Sequence, residues 1–279
     1  MKKKKKRITI PTVTAAAVAM TLSTIGGEDL SPLAVNKAQA AGFTGGDGTK
    51  ENPYLISDAN QLQMLNSYLG KNYAQTYFKL INDIDLTGIN WTPIGSSSSS
   101  FHGHFDGNDY TINNLKIVYS GTYAQGLFGN FGGTIKNVTM NNADVSSRGD
   151  GAGILVGSYI SNYTLSGAVF ENIFIKNSKV SGKQKVGLLA GSASTSVTNG
   201  KLYGKNISVQ GKVETQTSVG SHLGGLVGSV SGLYWKNIFV DAVIDPVPLK
   251  NRVGGLFGTV LNGSAPILIE YIFVKAQVT

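Results

Sequence analysis

Three aspartates have the residue type and spacing that acid–base chemistry on a polysaccharide would require. Asp83 and Asp85 stand two residues apart in the segment NDIDL, and Asp106 follows in HGHFDGND. Side chains two residues apart on a strand point to the same face, and glycoside cleavage uses a pair of carboxyl groups roughly 5–10 Å apart. These aspartates therefore predict a candidate hydrolase or lyase site. The alternative, which we favour, is that they bind backbone groups at chain corners.

Two histidines close to Asp106 raise the question of a metal site. His102 and His104 form a His-x-His pair, and such a pair can bring two imidazoles to one metal ion. The competing interpretation is that HFDGN is a solvated turn that leads into the strand-like segment YTINNLKI. We favour the turn, and we predict neither a metal ion nor a cofactor. The chain has no cysteine, so a thiol nucleophile is excluded.

Three phenylalanines have the pattern of an exposed binding surface. Phe174, Phe239 and Phe273 stand in the phrases NIFI, NIFV and YIFV, each between two apolar residues. Alternation along a strand turns the flanking residues inwards and the phenylalanine outwards, and exposed apolar patches mark interaction sites. We predict that Phe239 and Phe273 bind a partner near the C-terminal end, with Phe174 as a further contact. The alternative is that a neighbouring loop covers the rings.

A repeated phrase indicates the elements that position these residues. GLFG (126–129) returns as GILVG, GLLAG, GLVG and again GLFG. Its five leucines are separated by 28, 34, 37 and 30 residues and are Leu127, Leu155, Leu189, Leu226 and Leu256. Periods of 20–50 residues are typical of stacked-repeat proteins. The spacing predicts that these leucines form one column through successive coils.

A second phrase follows each copy of the first and carries two apolar residues in strand alternation. The predicted inward pairs are Val138 and Met140, Ile173 and Ile175, Ile207 and Val209, Ile238 and Val240, and Ile272 and Val274. A third apolar position follows at Val145, Val180, Val213, Val243 and Val278. An asparagine recurs at positions 114, 137, 172, 206 and 237. It indicates either a stacked amide ladder or a left-handed corner.

These patterns predict an all-β chain that folds as a right-handed parallel β-helix. A segment with leucines at helical spacing, 57–70, is expected to form a capping helix over the N-terminal end of the core, with Ser57 or Asp58 as its N-cap. The strand-like segment YIFVKAQV at the other end has no such cover in the sequence. An uncovered strand edge invites pairing with another chain, so we predict self-association through the C-terminal edge.

The first forty residues have the features of a secretory signal. A basic head is followed by an uncharged stretch and an A-x-A site before Ala41. We assign 1–40 to the signal peptide, 41–110 to an N-terminal cap region and 111–279 to the repeats. Without the signal, 17 basic and 14 acidic residues remain. The remaining basic residues form no long run, which predicts no nucleic-acid partner. The signal predicts a secreted or cell-surface location, with no membrane span after cleavage.

The repeats resemble bacterial surface proteins that carry the GLUG motif, named for its Gly-Leu-x-Gly core. The upstream segments GDGTKENPYLISDANQLQMLN, YFKLINDIDLTGINWTPIG and FHGHFDGNDYTINNLKI are similar to the block that often precedes such repeats. The resemblance implies a β-helix of pectate-lyase-like shape in adhesins and in non-catalytic regions of some immunoglobulin A proteases. This chain departs from those proteases because it has no H-E-x-x-H segment.

Taken together, the sequence favours a non-catalytic, adhesin-like module that presents loops and faces to a glycan or an extracellular protein. One alternative is a polysaccharide lyase or hydrolase that uses Asp83, Asp85 and Asp106. The other is the N-terminal structural part of a larger surface protein.

Overall fold

The chain folds as a parallel β-helix, as the repeats predict. The computed structural model describes residues 42–119, 123–149, 151–161, 169–195, 202–216, 220–246, 251–261 and 267–279. Its strands form one 12-stranded, one five-stranded and one four-stranded sheet. Every pairing between strands of these sheets is parallel. The predicted signal peptide, 1–40, lies outside the described residues.

The described elements begin with one short α-helix and two short 3₁₀-helices among the first strands. The helices are α1 (Ala59–Gln63) and the 3₁₀ turns Met64–Ser67 and Lys71–Tyr73. The first strands are β1 (Tyr54–Ile56), β2 (Tyr77–Leu80), β3 (Ile84–Asp85), β4 (His104–Asp106), β5 (Thr111–Asn113), β6 (Lys116–Tyr119), β7 (Phe128–Phe131) and β8 (Thr134–Asn141). The middle strands are β9 (Asp144–Ser147), β10 (Gly151–Gly153), β11 (Val156–Ser161), β12 (Phe170–Gly182), β13 (Lys185–Gly187) and β14 (Ala190–Thr195). The last strands are β15 (Leu202–Thr215), β16 (His222–Gly224), β17 (Val227–Val230), β18 (Leu233–Asp245), β19 (Arg252–Gly254), β20 (Phe257–Val260) and β21 (Leu268–Val278).

The repeated leucines form the predicted column. The backbone N–H of Leu189 donates to the carbonyl of Leu226 at 2.9 Å, and Leu226 donates to Leu256 at 3.0 Å. The first four leucines are fully buried, and Leu256, in the last coil, packs against the core while partly exposed. Stacking of identical turns therefore explains why the phrase recurs.

The apolar residues of the second phrase form two more buried columns, as predicted, but the third column differs from the prediction at one residue. Ile173 pairs with Val138 on one side and Ile207 on the other, so the alternating apolar residues stack as predicted. The third column was predicted to contain Val243, but Ile244 pairs with Val213 and Val278 instead. Val243 is 36% exposed and Ile244 0%. β18 contains no bulge residue between Val240 and Ile244. Because side chains alternate along a strand, Ile244, four residues after Val240, points to the same face as Val240.

The recurrent asparagines satisfy both interpretations of the sequence. Asn172, Asn206 and Asn237 have φ of 54–56°, the left-handed region that asparagine tolerates. The amide of Asn206 also donates to Asn172 Oδ1 at 2.8 Å, and Asn237 donates to Asn206 Oδ1 at 2.8 Å. The corner conformation and the amide ladder are thus properties of the same residues.

Asn114 was grouped with this ladder, and that grouping is wrong. Asn142 donates to Asn114 Oδ1, at 2.6 Å, and Lys116 pairs with Asp144. Asn114 therefore belongs to a second ladder at the next corner of the coil. The phrase NLKI matches NADV rather than NVTM, because both follow this second corner.

The N-terminal cap is present but shorter than the predicted helix 57–70. Asp58 is the N-cap, and its carboxylate accepts from the Gln61 N–H at 2.9 Å. The Gln61 side chain reaches back to accept from the Ser57 N–H at 2.7 Å. The helix gives way to a 3₁₀ turn at Met64. Leu62 and Leu65 still lie in the core, so the segment covers the end of the coil even though only its first part is α-helical.

One glycine is required by a buried ring. In β15 Gly204 pairs with Phe170 on one side and Trp235 on the other. A Cβ at Gly204 would lie 2.8 Å from Trp235 Cδ1. The indole occupies the space left by the missing side chain and meets the Phe170 ring at a centroid distance of 6.2 Å. Trp235 is fully buried.

Candidate functional site

Two of the three aspartates of the alternative hydrolase or lyase site begin the amide ladders. Asp106 Oδ1 accepts from the Asn137 amide at 3.0 Å, and Asn172 then donates to Asn137 Oδ1 at 2.7 Å. Asp85 Oδ1 accepts from the Asn114 amide at 2.9 Å in the second ladder. The side-chain amide of each asparagine donates to a residue in the preceding coil. The residue that begins a ladder therefore needs only to accept a hydrogen bond. An ionised carboxylate meets that need.

The remaining contacts of the aspartates are also structural. Asp83 Oδ1 accepts from the Thr111 N–H in the next coil at 2.7 Å. Hydrogen bonds from the Thr87 and Asn114 side chains and from the Thr87 backbone lower the pKa of Asp85. A general acid needs a pKa raised towards neutrality, so the Asp85 environment acts in the opposite direction. Asp106 lies on β4, before a corner, whereas Asp83 and Asp85 lie beyond the corner that follows β2.

The two histidines near Asp106 point to different places. His102 is buried before β4, against Gly132, where a Cβ would lie 2.7 Å from His102 Nδ1. His104 lies on β4, half-buried, with its Nδ1 2.7 Å from Thr134 Oγ1. Among the described residues, no group of three or more histidine, aspartate or glutamate side chains could hold a metal ion.

The outer surface near His104 forms a cleft that sequence reasoning missed. A cavity of about 200 Å³ opens there, lined by the side chains of Lys50, Tyr77, Lys79, His104, Asp106 and Lys136. The rings of Tyr77 and His104 stack with centroids 4.2 Å apart and planes 19° apart. Aligning YFKL, HFDG and TIKN would have placed Lys79, Asp106 and Lys136 at one repeat position.

The three predicted surface phenylalanines all project outwards. Phe174, Phe239 and Phe273 are 46%, 41% and 55% exposed. Phe239 and Phe273 pair directly across β18 and β21, and their rings stack with centroids 5.1 Å apart and planes 6° apart. Phe174 is separated from this pair by Ser208, which occupies the same position in β15. The rings therefore form an aromatic pair at the last two coils and a single ring further along the same face.

β21, the strand that carries Phe273, has one uncovered edge within the part of the chain that the structure describes. β21 pairs with β18, and its other edge has no strand partner among the described residues. Ile272, Val274 and Val278 have the sequence positions of core residues but are exposed. The pair Phe239–Phe273 and this edge together form an exposed apolar surface, which we call the C-terminal surface.

Known proteins resemble the chain over part of its length. A protein of Evansella cellulosilytica, provisionally named a Gly-rich membrane protein, is 37% identical over 150 residues, which are 51% of this chain and 16% of that protein. Halomucin of Haloquadratum walsbyi is 34% identical over 49% of this chain and 2% of its own length. An immunoglobulin A1 protease of Streptococcus pneumoniae is 25% identical over 76% of this chain and 10% of its own length. The chain thus spans only a small part of each of these proteins.

One solved structure supports the fold. A crystal structure from Bacteroides ovatus, provisionally named an immunoglobulin A1 protease, matches with a TM-score of 0.56 and 22% identity over 85% of this chain and 80% of that one. At this identity the match shows the shared β-helix fold alone. No protein-family model matches the chain. Within the described residues, none of the helices has the length and apolar character needed to cross a membrane.

Proposed function

We propose that this chain is a non-catalytic β-helix module of the GLUG-motif type, secreted or displayed at the cell surface, which binds a glycan or a protein partner. The observation that carries the proposal is the C-terminal surface, where two stacked phenylalanines stand beside an uncovered strand. In this proposal residues 1–40 export the chain, 41–110 cap the coil and 111–279 present the binding faces.

The relatives support the surface location. One is named as a membrane protein, one as a halomucin and one as an immunoglobulin A1 protease, and all are much longer than this chain. A module of this kind fits the role of a structural part within a larger surface protein. Its adhesin-like activity would lie in what its faces bind.

The polysaccharide lyase or hydrolase alternative has less support. Asp85 and Asp106 accept the first amide of each ladder, and Asp83 accepts a backbone N–H. Each of these contacts joins a carboxylate to the following coil, which gives the aspartates a structural role. No observation of the described residues favours a reaction at them.

The test compares the full chain with a Phe239→Ser, Phe273→Ser double variant. Both proteins are screened against arrays of glycans and extracellular-matrix proteins, and both are examined by sedimentation velocity. Loss of partner binding or of self-association in the double variant supports the proposal, because both rings lie in the C-terminal surface.

The matched control is Ile160→Ser, which removes an exposed apolar side chain from the five-stranded sheet instead. Equal binding and equal sedimentation for the wild type and the double variant would refute the role of the phenylalanines. Equal losses in the control would show that general surface hydrophobicity, not this surface, is responsible.

A further inference from the structure

The cleft around His104 is built by parallel strands in register. Tyr77 pairs with His104, which pairs with Thr134; Lys79 pairs with Asp106, which pairs with Lys136. Side chains two residues apart on a strand share a face, so both rows project from the same outer surface. Phe78 and Phe105, between the rows, are buried. The polar side chains therefore stand on a fixed apolar base.

The cleft has an excess of positive charge. Lys136 Nζ lies 3.1 Å from Asp106 Oδ2. Neither Lys50 nor Lys79 forms an ion pair with any of the described residues. Three ammonium groups thus line the cavity against one carboxylate, and that carboxylate already has a cation. An anion entering the cleft would meet two lysines without a counter-charge.

Some lysines elsewhere on the 12-stranded sheet have acidic partners among the described residues. Lys205 lies 2.8 Å from Glu171, which occupies the neighbouring position in β12. Lys212 contacts Glu214 at 2.7 Å and Asp245 at 3.2 Å. Lys176 and Lys236 on the same sheet form no ion pair with the described residues either. What distinguishes the cleft is that Lys50, Lys79 and Lys136 line a single cavity.

The histidine of the cleft adds no competing charge. Burial lowers the pKa of His104, and the nearby Lys50 and Lys136 lower it further, while a hydrogen bond with the Ala74 backbone acts in the opposite direction. The neutral ring is held by Thr134 and by stacking on Tyr77. The cleft thus combines an uncharged wall of stacked rings with cationic side chains.

We propose that this cleft binds an anionic sugar residue of an acidic polysaccharide, with Lys50 and Lys79 contacting the anionic group and Asp106 accepting hydrogen bonds from neighbouring hydroxyls. The inference rests on the proposed role as a surface binding module. It uses a face separate from the C-terminal surface, so either site can fail without the other.

The carboxylate within the cleft is the reason for preferring a sugar to an acidic peptide. A sugar acid carries hydroxyl donors beside its anionic group, and these match Asp106 and the Tyr77 hydroxyl. The side chains of an acidic peptide offer only further acceptors, and Asp106 would repel them. A cavity of about 200 Å³ open to the outer face also allows a polymer to continue along the surface of the coils.

The experiment measures binding of the full chain by calorimetry at low salt. The probes are an oligogalacturonate, its methyl-esterified counterpart, a sulfated oligosaccharide and polyglutamate. We expect the oligogalacturonate, the sulfated probe or both to bind. Whichever binds identifies the anionic group as carboxylate or sulfate. The methyl ester should bind at least about tenfold more weakly than the oligogalacturonate if the carboxylate is recognised, since contacts with a charged group are the stronger ones.

The variant is Lys50→Gln, Lys79→Gln, and its matched control is Lys176→Gln, Lys236→Gln. The control removes the same charge from exposed positions on the same sheet outside the cleft. We expect the cleft variant to lose at least about tenfold in affinity for the anionic sugar and the control to lose little. Circular dichroism checks that both variants fold.

Four results would overturn the proposal. The first is that neither anionic sugar binds, and the second is that the cleft variant and its control lose affinity equally. The third is that the methyl ester binds as tightly as the oligogalacturonate. The fourth is that polyglutamate binds with equal affinity through the same lysines. The Phe239→Ser, Phe273→Ser double variant should bind the anionic sugar normally. This distinguishes failure of the cleft from failure of the C-terminal surface.

Discussion

Both ends of the β-helix have an outer strand edge, but only the edge at the N-terminal end is paired with another described segment. At the N-terminal end, the outer edge of β1 is paired in antiparallel fashion, because the Leu55 N–H donates to Gly45 at 2.8 Å and the Thr44 N–H donates to Leu55 at 3.0 Å. At the C-terminal end, β19, β20 and β21 are each the last described strand of their sheet. The N-terminal end thus has a backbone cover that the described C-terminal end lacks.

The side chains at the two ends differ in the same way. Leu62 and Leu65 are fully buried under the first coil. Ile272 is 43% exposed, whereas Ile238, its equivalent one coil earlier, is 2% exposed. The two isoleucines share residue type and repeat position, so their burial depends on whether another layer lies over them. In a solenoid each coil contacts only its neighbours, and the last layer obtains half of the contacts.

The largest expected effect comes from shortening one apolar side chain at each end. Leu65→Ala should lower the free energy of unfolding by about 2–5 kcal/mol, because it leaves a cavity in the core. Ile272→Ala should lower it by about 1 kcal/mol or less, since much of that side chain already contacts water. Urea denaturation followed by circular dichroism measures both.

Equal losses for the two variants would contradict the comparison. They would mean that the C-terminal coil is covered in solution, for instance by a second copy of the chain. Repeating the measurement across a range of protein concentrations separates these cases, because burial by a second copy depends on concentration.

A smaller effect on stability is expected from extending the amide ladder by one residue. The ladder begins at the carboxylate of an aspartate and ends before a tyrosine. Asp106 accepts the first amide, but Tyr271 stands where the next asparagine would donate to Asn237. Tyr271 has a φ of 53°, which is costly for a bulky residue. Tyr271→Asn should therefore stabilise the chain by about 1 kcal/mol, through relief of strain and one added hydrogen bond.

Variants of a central asparagine separate these two contributions. Asn206→Ala loses two ladder hydrogen bonds and strains the corner, so we expect a loss of about 1–2 kcal/mol. Asn206→Gly loses the same hydrogen bonds but keeps the left-handed conformation at no steric cost. If the glycine variant is as stable as the wild type in thermal unfolding, the ladder contributes nothing and the corner alone explains the asparagines.

The sequence predicted the stacked parts of the fold because stacking repeats a residue type at a fixed position. The leucine column and the outward orientation of Phe239 follow from alternation and period, which need no knowledge of loops. Val243 was misplaced because it stands next to Ile244, and both residue types suit a core position; the third apolar residue lies four positions after the second in β18, as in β15. A change of one residue reverses the face of a strand.

The candidate site was harder to predict because it depends on register between the first, irregular coils. Asp106 was expected to bind a backbone group at a corner, with a catalytic role as the alternative; it does accept from the Asn108 N–H at 2.9 Å, but its contacts with Asn137 and Lys136 in the following coil were not predicted. Residues about thirty positions apart make these contacts. Asn114 was aligned to the wrong corner for the same reason. Local patterns do not specify which corner of a coil a turn residue occupies.

The smallest expected effect is a dependence of stability on pH that involves histidines near both ends. Burial lowers the pKa of His102, His104 and His222 from the ordinary value of 6.5. Below about pH 6.5 the unfolded chain therefore binds more protons than the folded chain at these positions. Stability should be constant above pH 7.5 and should fall as the pH drops from about 7 to 5, before most carboxylates titrate.

The histidine variants assign this loss to one end or the other. His222 lies near the C-terminal end, where Arg252 Nη1 is 3.0 Å from its Nε2, and Arg252 and Lys185 lower its pKa further. His104→Gln should flatten the pH dependence by removing part of the N-terminal contribution, which His102 shares, and His222→Gln should do so by removing the C-terminal contribution. Urea midpoints measured at pH 5, 6, 7 and 8 test this. Because burial is the first cause at both sites and the C-terminal coil is less covered, we expect the smaller change for His222→Gln. A larger change there would mean that the electrostatic effect of Arg252 outweighs burial at the open end.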